Sequence, residues 1–243
     1  THLHSDHCGG NAALHAHYGC SIAIPHGEAD AVRAWDQEAL SYKATGQQCA
    51  RFGFDATVAP GDTLLLGDLR WQALAAPGHD ACSLIFFCAD EGILISADAL
   101  WQNGFGVIFP ELDGASGFTQ ARDTLALIAS LDARLVIPGH GAPFTDIKGA
   151  LARAGSRLDF LLADPRRNAE NAVKVMLKFL LLERQCLALA TLATMLSAIP
   201  VVAGANRRFL HQSPDALADW AISALLRAGA ARVEGAMLVN YDL

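Results

Sequence analysis

The first ten residues of the chain constrain it more than any other stretch, because four side chains that can bind metal fall within six positions. In an extended segment, residues two apart point to the same side, so His2 and His4 can face one ion. A loop that follows can turn Asp6 and His7 toward a neighbouring ion. Imidazole and carboxylate ligands suit zinc, iron or manganese. The stretch therefore predicts a metal site.

Three more potential ligands occur later in the chain, each directly after a strand-like run. Sites in α/β proteins are usually built at the carboxyl ends of strands, so this placement favours a shared site. The three are His79 after the run 71–75, Asp98 after the run 92–96, and His140 after the run 135–137.

The Thr-His-x-His-x-Asp-His-x-Gly-Gly run and the three later ligands, taken in this order, resemble the pattern of the metallo-β-lactamase superfamily over residues 1–145. The resemblance implies two divalent metal ions, zinc in the first place and iron or manganese as alternatives. It also implies a ligand set: His2, His4 and His79 for the first ion, Asp6, His7 and His140 for the second, and Asp98 as a bridge between them. Asp6 and Asp98 are the expected catalytic residues.

The fold that this resemblance implies for residues 1–148 is α/β, an αβ/βα sandwich. Tight turns separate four predicted strands, which supply its second half. The family normally opens with several strands before the first motif, so we expect additional residues upstream of Thr1. The four predicted strands are 63–66, 69–76, 83–88 and 92–96.

The pattern becomes mainly helical after Thr145, and residues 149–243 are expected to form a small second domain. It resembles the winged-helix appendix of some relatives. The helix in the recognition position, 215–227, has two acids, one Trp and one Arg, which favours packing or homodimer contact over nucleic-acid binding. The predicted helices are 147–163, 169–183, 187–196 and 214–228, and the predicted hairpin joins 230–233 to 236–239.

Charge and composition narrow the classes of function. Residues 1–148 carry 7 Lys or Arg against 17 Asp or Glu, which argues against a nucleic-acid surface there. The sequence contains no uninterrupted apolar run long enough to predict a membrane span. The six cysteines lack metal-knuckle spacing, and in a chain of 243 residues they indicate reduced thiols and a cytoplasmic location.

Aromatic residues and glycines alternate in residues 99–116, directly after Asp98. Apolar groups in such a loop beside a metal site suggest a substrate-pocket wall, and a loop folded onto the core is the alternative. The candidates for substrate contact are Trp101, Phe105 and Phe109. His26, after the predicted strand 20–25, is a fourth, with a capping or packing role as its alternative. We expect Trp101 to touch substrate but not the reacting water.

The predicted chemistry is attack by a metal-bridging hydroxide on an ester, thioester or lactone of a small-molecule substrate. The N-terminal run resembles that of the glyoxalase II branch, and the helical appendix resembles that of thioesterase-like members. Lactonase relatives have a Tyr soon after the bridging Asp, where this chain has Ala99, Leu100 and Trp101. The alternatives are an endoribonuclease or phosphodiesterase of the same superfamily, and an iron-dependent sulfur dioxygenase or flavin-linked reductase relative.

Overall fold

The computed structural model describes residues 1–241, whose packing divides the chain into two units. The first unit comprises Thr1–Tyr42 and Gln48–Ala163, and the second comprises Lys43–Gln47 and the chain from Asp164. The predicted second domain extends to Leu243, and its last two residues lie outside the described range.

The elements up to Ala163 include both strands and helices, as expected of an α/β fold. In chain order they are α1 (Ser5–Cys8), α2 (Asn11–Tyr18), β1 (Ala23–Pro25), a 3₁₀ turn (His26–Glu28), α3 (Ala29–Ala34), α4 (Tyr42–Thr45), β2 (Ala56–Val58), β3 (Thr63–Leu66), β4 (Leu69–Ala75), β5 (Leu84–Cys88), β6 (Ile93–Ala97), α5 (Phe109–Leu112), α6 (Gly117–Ser130), β7 (Leu135–Pro138) and α7 (Ile147–Ala163).

Five of these strands form one sheet in the order β3-β4-β5-β6-β7. The first three pairings are antiparallel, and the four strands that make them were all predicted. The crossover through α6 makes β6 and β7 parallel, with Ile95 opposite Ile137. Parallel neighbours end at the same edge, so Asp98 and His140 emerge side by side. The strands β1 and β2 pair in a separate parallel sheet.

Helix α7 packs on the core of the first unit, although we expected it to belong to the second domain. Its Leu158 is fully buried in the same apolar cluster as Leu94 of β6 and Ile128 of α6. Burying a leucine side chain contributes roughly 1.5–3 kcal/mol, which holds the helix on the sheet. The boundary between the units therefore follows Ala163, later than the predicted residue 148.

The second unit contains helices near three of the predicted ranges, 169–183, 187–196 and 214–228. It also contains a three-stranded antiparallel sheet in the order β8 (Cys186–Ala188), β10 (Met237–Asn240) and β9 (Ala231–Glu234). The strand β8 was not predicted, and it adds to the predicted hairpin by placing Leu187 opposite Leu238. Ser213 caps α11 (Pro214–Arg227), because its hydroxyl accepts a hydrogen bond from the Ala216 N–H at 3.3 Å. The winged-helix assignment stays a prediction. The elements are α8 (Arg166–Arg184), β8 (Cys186–Ala188), α9 (Leu189–Ser197), α10 (Pro200–Ala205), a π turn (Asn206–Leu210), α11 (Pro214–Arg227), β9 (Ala231–Glu234) and β10 (Met237–Asn240).

Among residues 1–241, no single helix has both the length and the apolar character needed to cross a membrane. Only the pair Leu189–Ser197 and Pro200–Leu210 meets the length and composition criteria when joined, and it is bent by 77°.

Candidate metal centre

The N-terminal motif is an extended segment followed by one helical turn. His4 has an extended backbone, with φ −63° and ψ 147°, and α1 begins at the next residue. The imidazole rings of His2 and His4 lie on one side, with their centroids 4.7 Å apart. We expected a loop to turn Asp6 and His7 toward a neighbouring ion, and the turn is helical because the His7 N–H donates to the His4 carbonyl at 2.9 Å.

The structure brings the three later side chains to the N-terminal motif. Nε2 of His79 lies 2.8 Å from Nδ1 of His4. Nε2 of His140 lies 3.1 Å from Oδ2 of Asp6. Asp98 lies between the two pairs, and all seven predicted ligands therefore meet at one place.

Asp98 presents its two carboxylate oxygens to different groups of ligands. Oδ2 lies 3.4 Å from Nε2 of His79, which belongs to the group formed with His2 and His4. Oδ1 lies 3.3 Å from Nε2 of His7 and 3.7 Å from Nε2 of His140. A carboxylate in this orientation can join two cation sites, one on each side.

An irregular backbone conformation directly before Asp98 sets the direction of the Asp98 side chain. The pairing of β6 with β7 shifts register between Ile95 and Ala97, as at a β-bulge. Ala97 has φ 46°, a conformation that residues other than glycine seldom adopt. The Gly139 N–H donates to the Ala97 carbonyl at 2.8 Å and fixes this irregular end of β6 beside the end of β7.

The histidines of the first group are held neutral. Burial lowers the pKa of His4 and of His79 to about 4 each, and burial followed by repulsion from His4 lowers the pKa of His2. Burial alone would raise the pKa of Asp98, but the neighbouring imidazoles of His7 and His79 outweigh it and lower this pKa to about 2. Neutral imidazoles beside an ionised carboxylate are the ligand state that a divalent cation needs.

The second group contains an ion pair at its more open side. Burial opposes ionisation of Asp6, but the hydrogen bond with His140, together with the His7 charge, outweighs it and lowers the pKa of Asp6. The same hydrogen bond raises the pKa of His140. The side chain of His140 is 43% exposed, which leaves this side reachable from solvent.

The imidazole nitrogens are arranged to bind metal ions better than to form hydrogen bonds with one another. Nε2 of His2 and Nε2 of His7 are both buried without a hydrogen-bond partner among the described residues. Such atoms are costly unless a ligand satisfies them. Nδ1 of His79 bonds the Val107 carbonyl at 2.5 Å, so in the neutral ring Nε2 carries the lone pair that points into the cluster. The donor set therefore fits the binding of divalent metal.

Two glycines allow ligands to lie this close to the backbone. A Cβ on Gly139 would clash with Oδ1 of Asp98 and would lie 2.7 Å from Cε1 of His7. A Cβ on Gly106 would lie 2.5 Å from Nδ1 of His79. The sequence placed Gly106 in the glycine-bearing loop after Asp98, but it did not indicate the contact of Gly106 with His79.

The four candidates for substrate contact lie in different surroundings. Phe109 is half-buried, and its ring centroid lies 5.2 Å from His4 and 5.5 Å from His79. Trp101 is half-buried too, at 5.2 Å from His140. Phe105 is only 2% exposed and belongs to the core cluster, where it lines a small cavity together with His79 and Asp98. His26 is exposed, and its Nδ1 lies 3.3 Å from Oγ1 of Thr57.

Comparison with known proteins connects this geometry to a family. The family model of the metallo-beta-lactamase superfamily matches residues 1–140. The chain is 33% identical over 109 residues to a hydroxyacylglutathione hydrolase of Rhizobium etli, covering 45% of this chain and 35% of that protein. It is 29% identical over 173 residues to that of Rhodospirillum rubrum, covering 71% and 54%. The chain thus spans about half or less of the length of these relatives.

Solved structures share the fold at lower identity. A metallo-beta-lactamase family protein from Thermus thermophilus matches with a TM-score of 0.54 at 19% identity, covering 99% of this chain and 78% of that one. A beta-lactamase domain protein from Burkholderia ambifaria matches with a TM-score of 0.53 at 18% identity, covering 99% and 72%. The chain belongs to the metallo-beta-lactamase superfamily.

Proposed function

We propose that this chain is a metal-dependent hydrolase of a thioester, with two divalent cations held by its seven converging ligands. The observation that carries the proposal is the position of Asp98, whose two oxygens face two different ligand groups. The names of the relatives, hydroxyacylglutathione hydrolases, support the thioester as the substrate class. Cations bound here would polarise the acyl carbonyl and lower the pKa of a water molecule toward neutrality.

The residues of the chain have distinct roles in this proposal. The buried His2, His4 and His79 bind the first cation as neutral ligands, because burial keeps protons off their rings. Asp98 bridges to the second cation, for which Asp6, His7 and His140 are the remaining ligands. Zinc is the cation we expect, and iron or manganese would suit the same nitrogen and oxygen donors.

The surface beside the first group suits an apolar acyl chain. The ring of Phe109 packs edge-on against His4 and His79, and its side chain is only half-buried. An acyl group on this ring would exclude water from the side of the carbonyl opposite the ligands. We propose Phe109 as a substrate-contact residue on this ground.

A substrate panel tests the proposal. The chain, loaded separately with zinc, iron and manganese, should consume acyl thioesters, hydroxyacylglutathione among them, faster than the matching oxygen esters, lactones, phosphodiesters or β-lactams. Thioester loss can be followed by absorbance, with Asp98→Asn as the control for metal-dependent turnover. Turnover of a phosphodiester or β-lactam with inert thioesters would contradict the substrate class. Equal rates for the chain and the variant would contradict the site.

A further inference from the structure

The indole of Trp101 makes a directed contact with the bridging carboxylate. Nε1 of Trp101 donates a hydrogen bond to Oδ1 of Asp98 at 3.2 Å. Its ring lies edge-to-face with the His140 ring, 5.2 Å between centroids. Trp101 thus touches two predicted ligands, whereas the sequence suggested substrate contact alone.

The loop that carries Trp101 is tied at several points, which fixes the indole relative to Asp98. The Trp101 N–H donates to the Gly104 carbonyl at 2.7 Å, and the Gly106 N–H donates to the Asp98 carbonyl at 2.9 Å. The hydroxyl of Ser96 donates to the carbonyl of the fully buried Leu100 at 2.6 Å. These bonds hold the Trp101 backbone at a fixed position relative to Asp98, from which the indole reaches Oδ1.

The hydrogen bond from Trp101 reaches only one of the two oxygens of Asp98. Oδ1 of Asp98 is the oxygen that faces His7 and His140, whereas Oδ2 faces His79. A donor on Oδ1 takes one of its acceptor directions and leaves the other for a cation on the His7 and His140 side. The effect of the indole is therefore expected at the second cation site and not at the first.

Phe109 provides a natural comparison on the opposite side. Its ring packs edge-on against two ligands of the first group, much as Trp101 packs against His140. A phenyl ring has no N–H, so it packs without directing an oxygen. A comparison of variants at the two aromatic residues therefore distinguishes the effect of ring packing from the effect of the hydrogen bond.

We propose that Trp101 is a positioning residue for the second cation: its N–H fixes Oδ1 of Asp98 so that this oxygen completes the site of Asp6, His7 and His140. Loss of such an outer hydrogen bond to a ligand typically weakens metal binding by about 10- to 100-fold. The inference rests on the two-cation centre of the proposed function and does not depend on the thioester.

Zinc titration of the metal-free protein tests this assignment. The chain is stripped with a chelator and titrated against a competing indicator dye to obtain two dissociation constants, and cobalt absorption spectra report on each ligand environment. The variants are Trp101→Phe, which keeps a ring without the donor, Trp101→Ala, which removes both, and Phe109→Leu. We expect Trp101→Phe to raise the second dissociation constant about 10- to 100-fold and to leave the first unchanged. Phe109→Leu should leave the second unchanged.

Three results would overturn the assignment. The first is a Trp101→Phe protein whose second dissociation constant stays within about threefold of the parent while Trp101→Ala loses affinity, since packing alone would then explain the contact. The second is equal weakening of both sites. The third is a parent protein that binds a single zinc ion, which would also refute the two-cation centre. If thioesters are not hydrolysed but Trp101→Phe still weakens binding of the second zinc ion, only the proposed substrate class is refuted.

Discussion

Nδ1 of His4 and Nε2 of His79 lie 2.8 Å apart in the buried part of the cluster. The other ring nitrogen of His79 bonds the Val107 carbonyl, so its Nε2 is an acceptor in the neutral ring. Burial lowers the pKa of both rings to about 4, and at neutral pH they carry no charge that would draw a counter-ion. A cation that accepts lone pairs from both rings is the partner that this geometry favours.

Metal removal should therefore lower the stability of the first unit. A ligand that binds only the folded state adds about 2.7 kcal/mol when its free concentration is 100 times its dissociation constant. We expect thermal unfolding of the chain to shift upward with added zinc and downward with chelator. His79→Ala should lose most of this response, and identical melting temperatures with zinc and with chelator in the parent would refute a metal site.

Replacing Asp98 with Asn should abolish most turnover and leave the fold intact. The amide keeps the shape of the side chain but removes the negative charge that faces both ligand groups, so the second cation binds weakly. We predict a loss in kcat on the order of 100-fold or more, because the activated water depends on that cation. Steady-state kinetics with metal content measured on the same sample checks this. An Asp98→Asn protein with two metals and near-normal turnover would contradict the role of Asp98.

Gly106→Ala should disturb the first group of ligands. The new Cβ would lie 2.5 Å from Nδ1 of His79, where it would push the ring away from the Val107 carbonyl. Overpacking of this kind typically costs about 1–3 kcal/mol, and we also expect weaker binding of the first zinc ion. Urea unfolding and zinc titration measure the two effects.

Gly155→Ala is the matched control for that substitution. Gly155 lies within α7, and a Cβ built there meets nothing within 4 Å. The change should stabilise the chain by about 0.4–1 kcal/mol, because alanine has less conformational freedom to lose on folding. Similar destabilisation by both substitutions would show that the contact with His79 is not the cause.

Glu28 should make the stability depend on pH between about 4.5 and 8. Burial, with repulsion from Asp80, raises the pKa of Glu28 from 4.5 to about 8, and its Oε2 has no hydrogen-bond partner among residues 1–241. The folded chain therefore keeps its proton over a range in which the unfolded chain releases it, and stability is lost as pH rises through this window. Glu28→Gln should melt at a higher temperature than the parent near pH 8 and closer to it near pH 5. Exposed Glu91→Gln serves as the control, and parallel melting curves for the parent and Glu28→Gln across this range would contradict the prediction.

Much of the fold of the first unit could be predicted from local sequence patterns, because the predicted strands and helix are present in the structure. The apolar runs before His79, Asp98 and His140 are strands β4, β6 and β7, and the predicted helix 147–163 is α7 with the same bounds. The α/β class and the superfamily are confirmed. The strand β8 escaped prediction because three residues between two helices carry too little pattern, and only its pairing with β10 makes it a strand.

Details of the site depended on tertiary contacts that no spacing reveals. Phe105 and Phe109 look alike in sequence, yet one packs in the core and the other on His4, since the loop after Asp98 folds back on itself. Trp101 looked like a substrate contact because it is an aromatic residue in the loop beside the predicted metal site, and the sequence does not show that its Nε1 donates to Asp98. The role of Gly106 depends on a ring that lies far away along the chain.

The bond between the Gly139 N–H and the Ala97 carbonyl has a consequence for how the protein matures. It joins the ends of β6 and β7, which can pair only after the whole crossover between them has been synthesised and has closed. The predicted ligand histidines before β1 are therefore synthesised well before the side chains that they meet, and the ligand set comes together only after β6 and β7 have paired. Metal held by the complete ligand set would therefore be retained only by chains in which these two strands have paired.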